Sequence, residues 1–198
     1  MCYNSLPEGY TFLDKIDLQN NRKQFAIVNV LSAVLLVVFL AIGCFIESPS
    51  VLLDGELVFG IVIPAIVLCV GIVLYIVLHE AVHGMFMYAF CKSRLRFGYK
   101  VIYAYAGSDA YYDKLKYIII ALGPLVIWGI VFAVLTVFFH SGVWFWVIWL
   151  LQVTNVSGAA GDIFCTFKML KYPSDILVQD TGTEMTVYSR TKSEEKVD

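Results

Sequence analysis

The sequence predicts an all-α integral membrane protein, with four transmembrane helices and a small cytoplasmic-side β-hairpin between helices two and three. Three observations predict it. Of 198 residues, 60% are hydrophobic and 15% charged, and mean hydropathy is +0.77, values that exclude a disordered chain and an ordinary soluble domain. Four apolar stretches, Phe25–Ile46, Leu57–Phe90, Leu115–Phe139 and Val143–Leu170, can each cross roughly 30 Å of hydrocarbon, which takes about 20 helical residues. All 14 Lys and Arg fall on one side of the topology these spans generate.

The elements follow in order. Residues 1–24 form a cytoplasmic segment whose Lys15, Arg22 and Lys23 precede the first span. That span is read as an uncleaved anchor, being long and lacking a small-residue cleavage site. The second would be about 51 Å long as a straight helix, so it must tilt, emerge into the headgroups or kink near Gly60 and Pro64. Six cations, Lys92 to Lys116, separate it from the third span, whereas loops 47–56 and 140–142 carry none. Cytoplasmic loops retain Lys and Arg, so both termini are predicted to be cytoplasmic. Within Leu95–Tyr105, residues Phe97, Tyr99, Val101, Tyr103 and Tyr105 alternate as in a strand, with Gly98 marking a bend or bulge. Residues 25–170 are read as one membrane domain. Residues 171–198 form a tail with a short strand at Glu184–Tyr188 beyond a Gly182 turn, ending in a solvated stretch. The five cysteines are scattered, and neither a disulfide framework nor a zinc knuckle is expected. The lipid bilayer is the expected partner. A net charge of −2 leaves no basic surface for nucleic acid.

Near the end of the second span the chain reads His79-Glu80-Ala81-Val82-His83. Residues four apart share a helix face, so His79 and His83 can aim two imidazoles at one point. Glu80, about 100° round the helix, is placed to act on water without being a ligand. This is the pattern of a hydrolytic zinc site, with two ligands, an adjacent base and room for a third ligand. A polar cluster satisfied by neighbouring helices is the bland alternative. Ionisable groups in a span cost roughly 2.5–3.5 kcal/mol each on insertion scales, which favours a functional reading.

The third ligand must come from elsewhere. His140 lies on the opposite face, and Asp109 and Asp113 sit in a polar loop. Asp162 is the only carboxylate embedded in the other three spans, in the small-residue setting Ser157-Gly158-Ala159-Ala160-Gly161. Its six-residue separation from Lys168, against nine from His83 to Lys92, puts both at similar depth, about 9–14 Å from the cytoplasmic charges. Asp162 is therefore assigned as third ligand. Asn155 either positions a substrate carbonyl or bonds a neighbouring helix.

With an embedded H-E-x-x-H and a later Asp on another helix, the chain resembles the site-2 protease superfamily of intramembrane zinc metalloproteases. Leu122-Gly123-Pro124-Leu125 is similar to the Gly-Pro step those proteins carry between their ligand segments. Leu6-Pro7-Glu8-Gly9-Tyr10, the His79–Gly84 motif, Asn155–Asp162 and Tyr172-Pro173-x-Asp175 together resemble the small bacterial membrane family of putative zincin peptidases. The resemblance implies His79, His83 and Asp162 as Zn2+ ligands, Glu80 as catalytic base and a bacterial cell membrane as the location. The chain departs from the better-known proteases in lacking Leu-Asp-Gly around the Asp, and in carrying Ile127-Trp128-Gly129 where an Asn is usual after Gly-Pro.

The expected function is hydrolysis of peptide bonds in membrane-embedded or membrane-adjacent polypeptides near the cytoplasmic face. Because a helical peptide hides its carbonyls, Tyr99, Val101 and Tyr103 are candidate substrate contacts on a strand edge that an unwound segment could join. The alternatives are an inactive metal-binding protein, immunity or chaperone-like, on a degenerate protease fold, and, more weakly, a transporter.

Overall fold

The computed structural model describes residues 1–18, 20–53, 56–100, 103–182 and 184–190, without the side chains of residues 99, 100, 103 and 104. It is mostly helical, with four helices long and apolar enough to cross a membrane. The first, α1 (Arg22–Ile46), starts where the Asn21 side chain accepts from the Lys23 and Gln24 amides. The second begins as a π-helical turn, Leu57–Val62, and continues as α2 (Ile63–Cys91) with Pro64 in its first turn. The third is α3 (Lys114–Phe138), capped by Asp113. The fourth is two helices, α4 (Gly142–Gly158) and α5 (Ala160–Lys171), divided at Ala159. Gly158 and Gly161 flank that break, where the absence of a side chain weakens the helical preference.

The strands correct the all-α expectation. The anticipated hairpin is present as β3 (Leu95–Lys100) and β4 (Tyr103–Ser108) in continuous antiparallel register. Gly98 therefore marks no bulge; a side chain there would collide with the Tyr105 ring. In addition, β1 (Cys2–Tyr3), β2 (Tyr10–Ile16), β5 (Tyr111–Asp113), β6 (Leu177–Asp180) and β7 (Met185–Arg190) form an antiparallel sheet in the order β1-β5-β6-β7-β2. The Gly182 turn and the strand after it appear as expected, the turn having φ +83° at Gly182. Ser189 and Arg190, expected to begin the solvated stretch, instead end β7; the rest of that stretch, 191–198, lies outside the described residues.

The sheet covers one end of the helical bundle. Ile16, Tyr112, Val178 and Val187 from the strands pack with Met87 of α2, Ile120 of α3 and Met169 of α5. Burying such side chains supplies roughly 1.5–3 kcal/mol each. A disulfide joins Cys2 to Cys91 at the end of α2, contrary to the expectation of unpaired cysteines. The partners stand 89 residues apart, so no spacing motif could announce them.

Asp14 ties β2 to α5. Its carboxylate accepts from the Lys168 ammonium at 2.9 Å and from the Tyr172 hydroxyl. Burial alone would raise this carboxyl, but those donors hold it below its ordinary value. A depressed folded pKa stabilises above the unfolded value, about 4, and that contribution is lost as pH falls through the folded one. Asp14 is 38% exposed, which limits the effect to about 1 kcal/mol. Asp14→Asn is expected to lower the thermal midpoint by a few degrees at pH 7, with the gap from wild type closing below about pH 4. A gap that persists there would assign the effect to packing instead.

Candidate metal centre

His79 and His83 are successive inward positions of α2, and both are buried. Each imidazole is oriented by its Nδ1. His83 Nδ1 lies 2.8 Å from the Ile120 carbonyl, which can only accept, so Nδ1 carries the proton. That carbonyl is available because Pro124, which would otherwise bond it from one turn on, has no N–H. Gly123 lets the helices approach: a Cβ there would fall 2.3 Å from the Phe86 ring. The Gly-Pro step thus supplies both contact and acceptor.

His79 is fixed through a longer chain. The Asn155 amide donates to the Leu125 carbonyl at 3.2 Å, leaving its oxygen to accept from the Tyr75 hydroxyl at 3.1 Å. Tyr75 then accepts from His79 Nδ1 at 2.8 Å. Both Nε2 lone pairs face inward, the arrangement outer hydrogen bonds impose on metal-binding histidines.

Asp162 stands in the first turn of α5, just after the break, where the helix dipole favours a carboxylate. Its Oδ2 is 3.4 Å from His79 Nε2 and 3.7 Å from His83 Nε2. Donors at 2.0–2.2 Å around a tetrahedral ion stand roughly 3.3 Å apart, close to these two carboxylate–imidazole distances. Ligand atoms of His79, Glu80 and His83 also lie within 4.8 Å of one another. Glu80 lines a cavity of about 550 Å³ with His79, His83, Asp162 and Ala106 of β4.

Asn155 is fully buried, its amide engaged by Tyr75 and Leu125 as a bond between helices. Val101 lies outside the described residues, and the Tyr99 and Tyr103 side chains lie outside those described. Three contributors escaped the sequence reading. Tyr75 precedes His79 by one turn, which was the available signal. Pro124 appeared only as part of a motif. Asp180, at the end of β6, lines the cavity and gives no signal in a polar tail. Its carboxyl is raised by burial, against the pull of the Gly182 N–H and the Tyr117 hydroxyl.

Pro124→Ala is expected to return a backbone partner to Ile120, release His83 Nδ1 and weaken zinc binding by about 10–100-fold. Competition with a chromophoric chelator measures this; unchanged affinity would remove the carbonyl from the site's support.

A family model described as "Putative zincin peptidase" matches residues 72–177, more than half of the chain, including all four residues of the motif and its third donor. No curated protein and no solved structure matches the chain. The extent of that match, over a stretch with zinc-compatible donors, establishes that the chain belongs to the putative zincin peptidase family, which implies zinc and a metallopeptidase.

Proposed function

We propose that the protein is a zinc-dependent intramembrane peptidase, similar in type to the site-2 proteases, that cleaves membrane-embedded or membrane-adjacent polypeptides near the cytoplasmic face. The observation that carries this reading is the convergence of two oriented imidazoles, a carboxylate and Glu80 on one cavity between helices apolar enough to span a bilayer. His79, His83 and Asp162 would hold the ion. Zinc, when bound, supplies Lewis-acid activation of water and of the scissile carbonyl.

The chain's own groups perform the remaining work. Glu80 takes the proton from the attacking water and passes it to the leaving amine. Its side chain lines the cavity beside Ala106 of β4. Tyr75 and the Ile120 carbonyl hold each imidazole in the tautomer that leaves Nε2 free. The β3–β4 hairpin offers an edge beside Glu80 on which an unwound substrate can be held extended. The distribution of Lys and Arg supports a cytoplasmic location for this end of the bundle and both termini. A reducing cytoplasm would open the Cys2–Cys91 disulfide, leaving β1 held by its pairing with β5.

The test uses the full chain in liposomes with a panel of single-span polypeptides labelled at one end. Release of a labelled fragment that stops on zinc chelation and returns with added zinc is expected. Absence of cleavage across the panel by zinc-loaded protein would count against the reading.

A further inference from the structure

The charges lining the cavity are one-sided. Glu80, Asp162, Asp180 and Glu184 face it, and among the described residues no Lys or Arg does. Three of these carboxylates have a recognisable engagement. Asp162 meets the imidazoles, Glu80 stands within 4.8 Å of them, and Glu184 pairs with Lys15 at 2.8 Å. Asp180 makes no ion pair with a Lys or Arg among the described residues. Its two oxygens each accept one neutral donor, the Tyr117 hydroxyl at 3.0 Å and the Gly182 N–H at 2.8 Å.

A carboxylate offers about four acceptor positions, so among the described residues roughly two on Asp180 are left without a donor. Withdrawn carboxylates are ordinarily paired with a cation, because desolvation leaves an isolated charge costly. The location is also informative. Asp180 reaches the cavity from the end of β6, and the turn after it packs against β4: a Cβ on Gly182 would fall 2.3 Å from the Tyr105 ring. Asp180 and the edge facing Glu80 therefore belong to one wall.

Building on the peptidase reading, we propose that Asp180 is a specificity-determining subsite that receives an ammonium or guanidinium group of the substrate polypeptide. Polypeptides that span a membrane carry Lys and Arg on their cytoplasmic flank, so the end of a substrate that reaches this wall brings the complementary charge. Tyr117 and the Gly182 N–H fix the carboxylate, and the substrate cation supplies the missing counter-charge.

The test is binding of labelled single-span peptides to zinc-loaded Glu80→Gln protein in nanodiscs. The peptides have acetylated N-termini and differ only in Lys, Gln or Glu at the flank; a Gln peptide with a free N-terminus forms a fourth arm. The Lys peptide is expected to bind about 10–100-fold more tightly than the Gln peptide. That gap should vanish in Glu80→Gln/Asp180→Asn, and Glu80→Gln/Asp180→Lys should favour the Glu peptide. A preference confined to the free N-terminus and dependent on Asp180 would identify the terminal amine as the source of the cation. Equal binding of Lys and Gln peptides, or a Lys preference that survives Asp180→Asn, would overturn the subsite. Cleavage by the wild type is scored separately. Cleavage without charge preference removes the subsite alone, whereas Asp180-dependent binding without cleavage removes the peptidase reading alone.

Discussion

Protein purified in detergent is expected to carry about one zinc per chain, and His79→Ala and Asp162→Ala are each expected to lose it. The two substitutions remove donors from different elements. His79 belongs to a continuous helix whose motif could bind an ion with no help from α5. Asp162 belongs to α5 and reaches the imidazoles only because the fourth apolar segment breaks at Ala159. Either loss leaves two donors, too few for a closed three-ligand set, so the fall in affinity should exceed the roughly 10–100-fold that supporting hydrogen bonds are worth. Elemental analysis measures the content and chelator competition the affinity, with His140→Ala as an exposed histidine outside the cluster. Wild-type affinity in a folded Asp162→Ala protein would exclude Asp162 as a ligand. Zinc retained in His79→Ala would exclude the centre altogether.

The residues differ in how much of this a sequence can reveal. The four long apolar helices are legible because length and apolarity go together in the sequence, and they end within a few residues of the apolar stretches. The His79–His83 pair is legible because i and i+4 lie on one face of any helix. Asp162 is legible by its exceptional setting, a carboxylate in an apolar segment. The sheet is not, because β1 has two residues and β5 three, too short for any alternation, and each gains meaning only from partners far along the chain. Asn155 shows the same limit at a single side chain. Its polarity within a span is visible, but its bond to Tyr75 requires knowing how α2 and α4 face each other. For Pro124 the chemistry lies in a missing N–H, which matters only once His83 is seen beside Ile120.

Glu80→Gln is expected to retain zinc and to lose cleavage by about 10²–10⁴-fold or more, the usual worth of a positioned acid–base group. Gln keeps nearly the same shape, so the side chain stays at the cavity wall. What disappears is the capacity to take a proton from water and return it to the leaving amine. Because Glu80 lies within ligand distance of both histidines, zinc content must be read beside the rate. Zinc retained with cleavage lost assigns Glu80 as base; both lost together assigns it to the metal's coordination. Cleavage unchanged with zinc retained would exclude it from proton transfer. The same substitution separates an enzyme from a metal-bearing membrane protein on a degenerate protease fold, since a role resting on the folded metal site alone would survive Glu80→Gln and fail in His79→Ala. Glu80 is therefore the position where holding zinc and hydrolysing a peptide bond can be separated.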